Sequence, residues 1–181
     1  MCELELVKKC LQGDQKSCKQ LYDEFAPTML GICHRYLTRT AEAEDALQDG
    51  FIKVFQNLNS WKQTGALGAW IRRIIVNPCL TQLHTKSKLI EIGPEELFPD
   101  VSIEPEVLYS LDYEAFENIL KSMPAGYRAV FNLAVIEGYS YEEISKLLQV
   151  KEVSCRSQLY KAKQFLAKRL QTLYPHLKLP A

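Results

Sequence analysis

The sequence predicts an all-α protein built as two small helical domains joined by an acidic linker. Three observations carry this. Outside the middle of the chain, apolar residues recur at three- and four-residue steps, and no segment alternates convincingly with the period of two that a half-buried strand requires. Residues 89–111, "LIEIGPEELFPDVSIEPEVLYSL", hold three prolines, one glycine, six acids and no base, which suits an exposed connector better than a core element. Finally, the stretch from Ser140 to Leu170 reads as two helices and a short turn, the second helix rich in Arg and Lys. The boundaries are 1–88, 89–111 and 112–181.

In the first domain, "LELVKKCL" and "SCKQLYDEFAPTMLGICHRYL" have helical apolar spacing, with Asp14 placed to cap the second. "TAEAEDALQDGFIKVFQNL" puts Ala43, Leu47, Phe51, Val54 and Leu58 on one stripe. "GALGAWIRRIIVNPCLTQL" follows a Gly-containing loop. Its Pro78 removes a helix hydrogen bond at a cost of roughly 3 kcal/mol, so either the helix kinks there or Asn77 caps a new one. The second domain reads as helices near 113–122, 125–137, 141–148 and 154–173. Pro124 suits a first turn, and Ser140 with Glu143 makes a capping box.

The chain carries 22 basic and 22 acidic residues, yet this neutrality is an average over unlike blocks. Counting Lys and Arg against Asp and Glu, residues 1–60 carry −2, 61–90 carry +5, 91–123 carry −8 and 124–181 carry +5. Two cationic blocks flank an acidic one, and a polyanion meets the blocks, not the total. The acidic block is placed to fold back over a cationic one when no polyanion is bound. Six cysteines, Cys2, Cys10, Cys18, Cys33, Cys79 and Cys155, show no paired spacing, which points to free thiols in a reducing cytoplasm. Cys33 and His34 are neighbours that cannot point the same way on a helix, so no metal is expected. No run is long enough to span a membrane, and "MCELELVKKCLQGDQ" is unlike a signal peptide. With no Gly-rich phosphate loop, nucleophile–base arrangement or metal cluster, catalysis, cofactors and small-molecule substrates are not expected.

On the last helix Cys155, Leu159, Ala162 and Leu166 form a stripe that can pack on Ile144, Leu147 and Leu148. The opposite face would present Arg156, Ser157, Tyr160, Lys161 and Gln164, as a helix-turn-helix presents residues to a major groove. Trp70, Arg73 and Asn77 share a face at i, i+3 and i+7, and an aromatic plane, a cation and an amide together suit unstacked single-stranded bases.

Taken in order, these motifs resemble the extracytoplasmic-function sigma factors. "AEAEDALQDGFIKVFQNL" is similar to the family's region 2 helix that docks on RNA polymerase, and "GALGAWIRRIIVN" to the segment that opens and reads the −10 element. "MPAGYRAVFNLAVIEGYSYEEISKLLQVKEVSCRSQLYKAKQFL" resembles region 4, which reads the −35 element. The resemblance implies core polymerase binding by Asp45, Gln48 and Phe51, although Phe51 equally fits the core. It implies −10 contacts by Trp70, Arg72, Arg73 and Asn77, with "NSWKQTGALG" and Trp61 cupping a flipped base, and −35 contacts by Arg156, Ser157, Tyr160 and Lys161. Its implied partners are core RNA polymerase, promoter DNA and an anti-sigma factor. The linker, at most about 75 Å long at ~3.3 Å per residue, could cross roughly 20 base pairs.

Three features depart from the family pattern: Pro78, the weakly basic "QLHTKSK", and Gln149 with Val153 where the turn usually holds small residues or glycine. Two rival readings stay open on the sequence alone, a stand-alone helix-turn-helix regulator and a helical protein that titrates an anti-sigma factor without initiating.

Overall fold

The structure, a computed structural model, describes residues 2–86 and 113–174. The expected linker, and with it the fold-back of the acidic block, lies outside the described residues. The chain divides into two compact units, Met1–Gln82 and Leu83–Ala181. Among the described residues every regular element is helical.

In the first unit α1 (Glu3–Leu11), α2 (Gln15–Tyr36) and α3 (Thr40–Asn57) lead through a 3-10 turn at Leu58–Ser60 to α4 (Leu67–Lys86). Gly13 adopts φ +84° between α1 and α2, a conformation that costs a glycine little. Asp14 then caps α2: its carboxylate accepts from the Lys16 and Ser17 amides, both at 3.3 Å, and from the Ser17 hydroxyl at 2.6 Å. The Ser17 hydroxyl bond is the largest cause holding this carboxyl below its ordinary pKa.

The stripe expected on α3 is buried throughout, and Ala46 and Gly50 join it. At Gly50 α4 comes close to α3. A methyl group there would run into the Ile75 side chain and lie 3.3 Å from its Cα. Phe51, which the sequence left between core and interface, is core. It is 3% exposed and its ring lies 4.7 Å from that of Tyr22. The polymerase-binding expectation for Phe51 is therefore corrected: the stripe it shares with Ala43, Leu47 and Val54 faces inward.

Pro78 does not start a new helix. α4 runs through it, and the Asn77 carbonyl accepts from the Thr81 hydroxyl at 3.0 Å, as in a helix interior. The Ile74 carbonyl loses its partner four residues on, and burial of the Pro78 ring offsets part of that loss. All six cysteines are free thiols. Burial, the largest cause, pushes Cys10 up to about 12 and Cys155 up to about 11, so neither supplies a thiolate near neutral pH.

The second unit contains α5 (Tyr113–Ser122), α6 (Ala125–Phe131), α7 (Tyr141–Leu148) and α8 (Glu152–Leu173). The helix expected to run to residue 137 instead widens after Phe131 into a π-helical turn, Asn132–Ile136. There the Glu137 amide reaches back five residues to the Asn132 carbonyl at 2.9 Å. Gly138, at φ +75°, ends it, and the Tyr139 amide donates to the Leu133 carbonyl at 2.9 Å. Arg128 is buried, and its Nη1 donates to the Lys121 and Met123 carbonyls at 3.2 and 2.8 Å. It thus satisfies the carboxyl end of α5 with a cation, the favoured sign there.

Because a side chain at Gly50 would meet backbone as well as a side chain of α4, Gly50→Ala should destabilise the protein by about 1–3 kcal/mol. Chemical denaturation should show a lower midpoint; a raised midpoint, alanine's helix preference acting unopposed, would mean that α3 and α4 do not approach this closely.

Candidate nucleic-acid interface

A concavity lies in the first unit, at the start of α4. Ser60, Trp61, Lys62, Thr64, Gly65 and Ala66 form its loop side, while Ala69, Trp70 and Arg73 form its helix side. The cavity measures about 350 Å³. Both tryptophans of the chain line it, each half-buried, and Arg73 is exposed beside them. The loop turns sharply at Gln63, whose φ is +59°. Two aromatic planes and a guanidinium around a small open cavity can take one unstacked base and its phosphate.

Not all the expected residues converge there. Asn77 is exposed but stands four residues beyond Arg73, about 6 Å farther along the helix. Arg72 is half-buried and does not line the cavity. The shared helical face holds for Trp70 and Arg73 at the cavity, and it has left the cavity by Asn77.

A second surface lies on α3. Asp45 and Gln48 are exposed, as expected, and so is Ile52 at 55%. With spacing i, i+3 and i+7 they make one outward stripe of a carboxylate, an amide and an apolar side chain. Ile52 is the member that sequence reasoning missed. It adjoins Phe51 in the chain, but at 100° per residue it falls off the core stripe, which is the signal that could have found it.

In the second unit, α7 and α8 pack through Ile144, Leu148, Cys155, Leu159 and Ala162, all buried. The turn between them is closed by Ser145, whose carbonyl accepts from the Val150 amide at 3.1 Å and whose hydroxyl donates to the Val150 carbonyl. Gln149 takes the left-handed conformation itself, φ +53°, so the turn keeps its shape without a glycine.

On α8, Arg156 is exposed, with its guanidinium 5.4 Å from the centre of the Tyr141 ring and 4.0 Å from the Glu152 carboxylate. Tyr160 and Lys161 are half-buried, and the Tyr160 hydroxyl accepts from the Gln164 amide at 2.8 Å. Ser157 is corrected: it is 7% exposed, and its neighbour Gln158 is 6% exposed. Helical spacing credited α8 with one covered side, whereas Ser157 and Gln158 lie off the stripe of Cys155, Leu159, Ala162, Leu166 and Leu170 and are covered as well. The Ser157 hydroxyl is not on the open face.

Among the described residues no cluster of His, Cys, Asp and Glu is placed to hold a metal, and no helix is long and apolar enough to cross a membrane. Two family models match the chain, one in each unit. The sigma-70 region 2 family model matches residues 21–88, and that of sigma-70 region 4 matches residues 113–166. The chain is an extracytoplasmic-function sigma factor. As such it directs transcription from promoters.

It is 25% identical to the RNA polymerase sigma-H factor of Pseudomonas aeruginosa, over 93% of this chain and 94% of that one. It is 28% identical to the sigma factor SigM of Mycobacterium tuberculosis, over 93% and 84%. The fold is also that of the sigma factor RpoE from Bartonella quintana, solved in complex with the anti-sigma factor NepR. That match covers 88% of this chain and 98% of the other, with 23% identity and a TM-score of 0.51. Sigma factors are generally non-catalytic initiation factors. The region 2 match also accounts for a unit that a stand-alone helix-turn-helix regulator would leave unexplained.

In this sigma factor the left-handed Gln149 is the strained point of the helix-turn-helix, since a side chain there costs about 1–2 kcal/mol. Gln149→Gly should raise stability by about 0.5–1 kcal/mol, the relief being partly offset by glycine's greater freedom when unfolded. Thermal melting of the full chain tests this, and a lowered melting temperature would contradict it.

Proposed function

We propose that this sigma factor acts in the cytoplasm, without catalysis, by positioning DNA on core RNA polymerase. Residues 1–88 dock on the polymerase and capture the −10 element, and residues 112–181 read the −35 element. The observation that supports this best is the cavity at the start of α4, where Trp61, Trp70 and Arg73 come together from a loop and a helix. Extruding a base costs a few kcal/mol, and stacking returns about 1–3 kcal/mol per base. Trp61 and Trp70 supply the stacking planes and Arg73 the phosphate contact. Arg72 and Asn77 serve the flanking backbone.

Docking on the polymerase uses the outward stripe of α3, with Asp45 and Gln48 as polar contacts and Ile52 as the apolar one. An anti-sigma factor is a further partner, since the sigma factor from Bartonella quintana was solved with one. For the −35 element, Arg156 and Tyr160 face the major groove and Lys161 meets a phosphate. Tyr141 stacks on the Arg156 guanidinium and limits its freedom before DNA arrives.

Asp45→Ala combined with Gln48→Ala should weaken core binding about tenfold or more, and Ile52→Ser should weaken it further. Circular dichroism and melting should stay as in the parent, because all three side chains are exposed. A stably folded triple variant that binds core like the parent would remove this surface from the reading.

Arg156→Ala should change which −35 sequence is preferred, since a bidentate contact to guanine is worth about 1–3 kcal/mol of discrimination. Lys168→Ala should instead weaken binding to all sequences alike and flatten the salt slope by about one unit. Holoenzyme binding to a randomised −35 library at two salt concentrations measures both. Unchanged sequence ranking for Arg156→Ala would mean that α8 does not read the groove. Transcription in vitro from a bound promoter checks the whole reading, and binding without transcripts would favour the titrating role instead.

A further inference from the structure

We infer that α1 is a brace for the base-capturing cavity and that Glu3 is its positioning residue. α1 lies outside the region 2 match, which begins at residue 21. It nevertheless touches the loop that lines the cavity at both ends. On one side α1 packs against the Leu58–Ser60 turn, which leads into the loop. On the other, the Glu3 carboxylate accepts from the Leu67 amide at 3.3 Å, across 64 residues of sequence.

That second contact does a task α4 cannot do for itself. The first amides of a helix lack intrahelical partners, and a side chain at the capping position commonly satisfies one of them. Here that position is Ala66, whose carbonyl takes the Ala69 and Trp70 amides but whose methyl group accepts nothing. Glu3 fills the role from another helix, and a carboxylate is the favoured charge at a helix amino terminus.

The first turns of α4 are also the helix wall of the cavity, through Ala69, Trp70 and Arg73. Fraying at Leu67 would therefore shift that wall against Trp61 on the loop side. Glu3 touches no DNA in this scheme. It acts by holding the spacing between the two tryptophans that would receive a base, and to that extent the inference rests on the cavity's proposed role.

The test uses the full chain and its holoenzyme with Glu3→Ala, Glu3→Gln and, as a control for the cavity, Trp70→Ala. The probe is a randomised pool of single-stranded DNA, and core affinity is measured in parallel. Glu3→Ala should lower holoenzyme affinity for the pool about three- to tenfold, with core affinity within twofold of the parent. Glu3→Gln keeps an oxygen that can accept the Leu67 bond and should stay within twofold on both counts. Because the chain's two tryptophans both line the cavity, their fluorescence reports on it alone. Glu3→Ala should make them more accessible to a neutral quencher, and Glu3→Gln should not.

If Trp70→Ala loses single-stranded binding while Glu3→Ala keeps it, the brace is refuted and the cavity stands. If Trp70→Ala binds like the parent, the cavity's role fails and the brace fails with it. Should Glu3→Ala not fold, Glu3→Gln decides: a loss as large as that of Trp70→Ala overturns the hydrogen-bond role, and parental binding with parental quenching supports it.

Discussion

The close approach of α4 to its neighbours is the constraint on which the first unit depends. At Gly50 the α3 backbone leaves room for Ile75 and nothing more, and at Gly68 the start of α4 lies against Phe25 of α2, 3.1 Å from where a Cβ would stand. Glycine at both points lets α4 settle deeper than side chains ordinarily permit between helices. With α4 seated there, Ile71, Ile75, Val76, Cys79 and Leu80 are buried. The opposite side, with Arg73 and Asn77, stays in solvent. The inward turn of Phe51 follows too, because α3 offers its Ala43–Leu47–Gly50–Val54 side to the core and leaves Asp45, Gln48 and Ile52 outside. One packing decision thus separates the buried residues of α3 and α4 from those available to partners.

Much of this was legible in the chain because it is local. The Asp14 cap, the Ser140–Glu143 capping box and the α3 stripe need only a few consecutive residues, and the structure has all three. The misreadings came where distant packing decides. Helical spacing put Phe51 on the α3 stripe and Ile52 off it, but only the packing of α4 shows that this stripe is covered and Phe51 is not available to a partner. It also could not see that Ser157 and Gln158 would be covered on a second side of α8. Pro78 was legible as a lost hydrogen bond but not as a tolerated one, since only the buried environment of the ring offsets the loss. Glu3 reads as an ordinary acid in a first turn, and only the fold brings it to Leu67.

The helix-turn-helix shows the same division at smaller scale. Its turn lacks the glycine common in the family, yet Gln149 enters the left-handed region and Ser145 holds Val150 through two hydrogen bonds. Local strain is carried by local compensation. For recognition, the same local order means that Arg156 is not a free cation waiting for DNA. It is held between the Tyr141 ring and the Glu152 carboxylate, both exposed enough for a stronger acceptor to displace the acid.

This bears on how a chain of zero net charge can hold a polyanion. Several acids are engaged one helical turn from a cation: Glu5 with Lys9, Asp23 with Lys19, Glu117 with Lys121 and Glu142 with Lys146. Exposed pairs of this kind contribute little stability. Their electrostatic consequence is larger, because each cancels a field at its source. Lys62 and Arg73 at the cavity, and Lys161 and Lys168 on α8, have no acid within ion-pair distance among the described residues. Fields in physiological salt decay over about 8 Å, so an approaching phosphate senses these cations and not the acids paired elsewhere. Net charge is the wrong measure for this molecule; Lys62, Arg73, Lys161 and Lys168, with no acid within ion-pair distance among the described residues, are the right one.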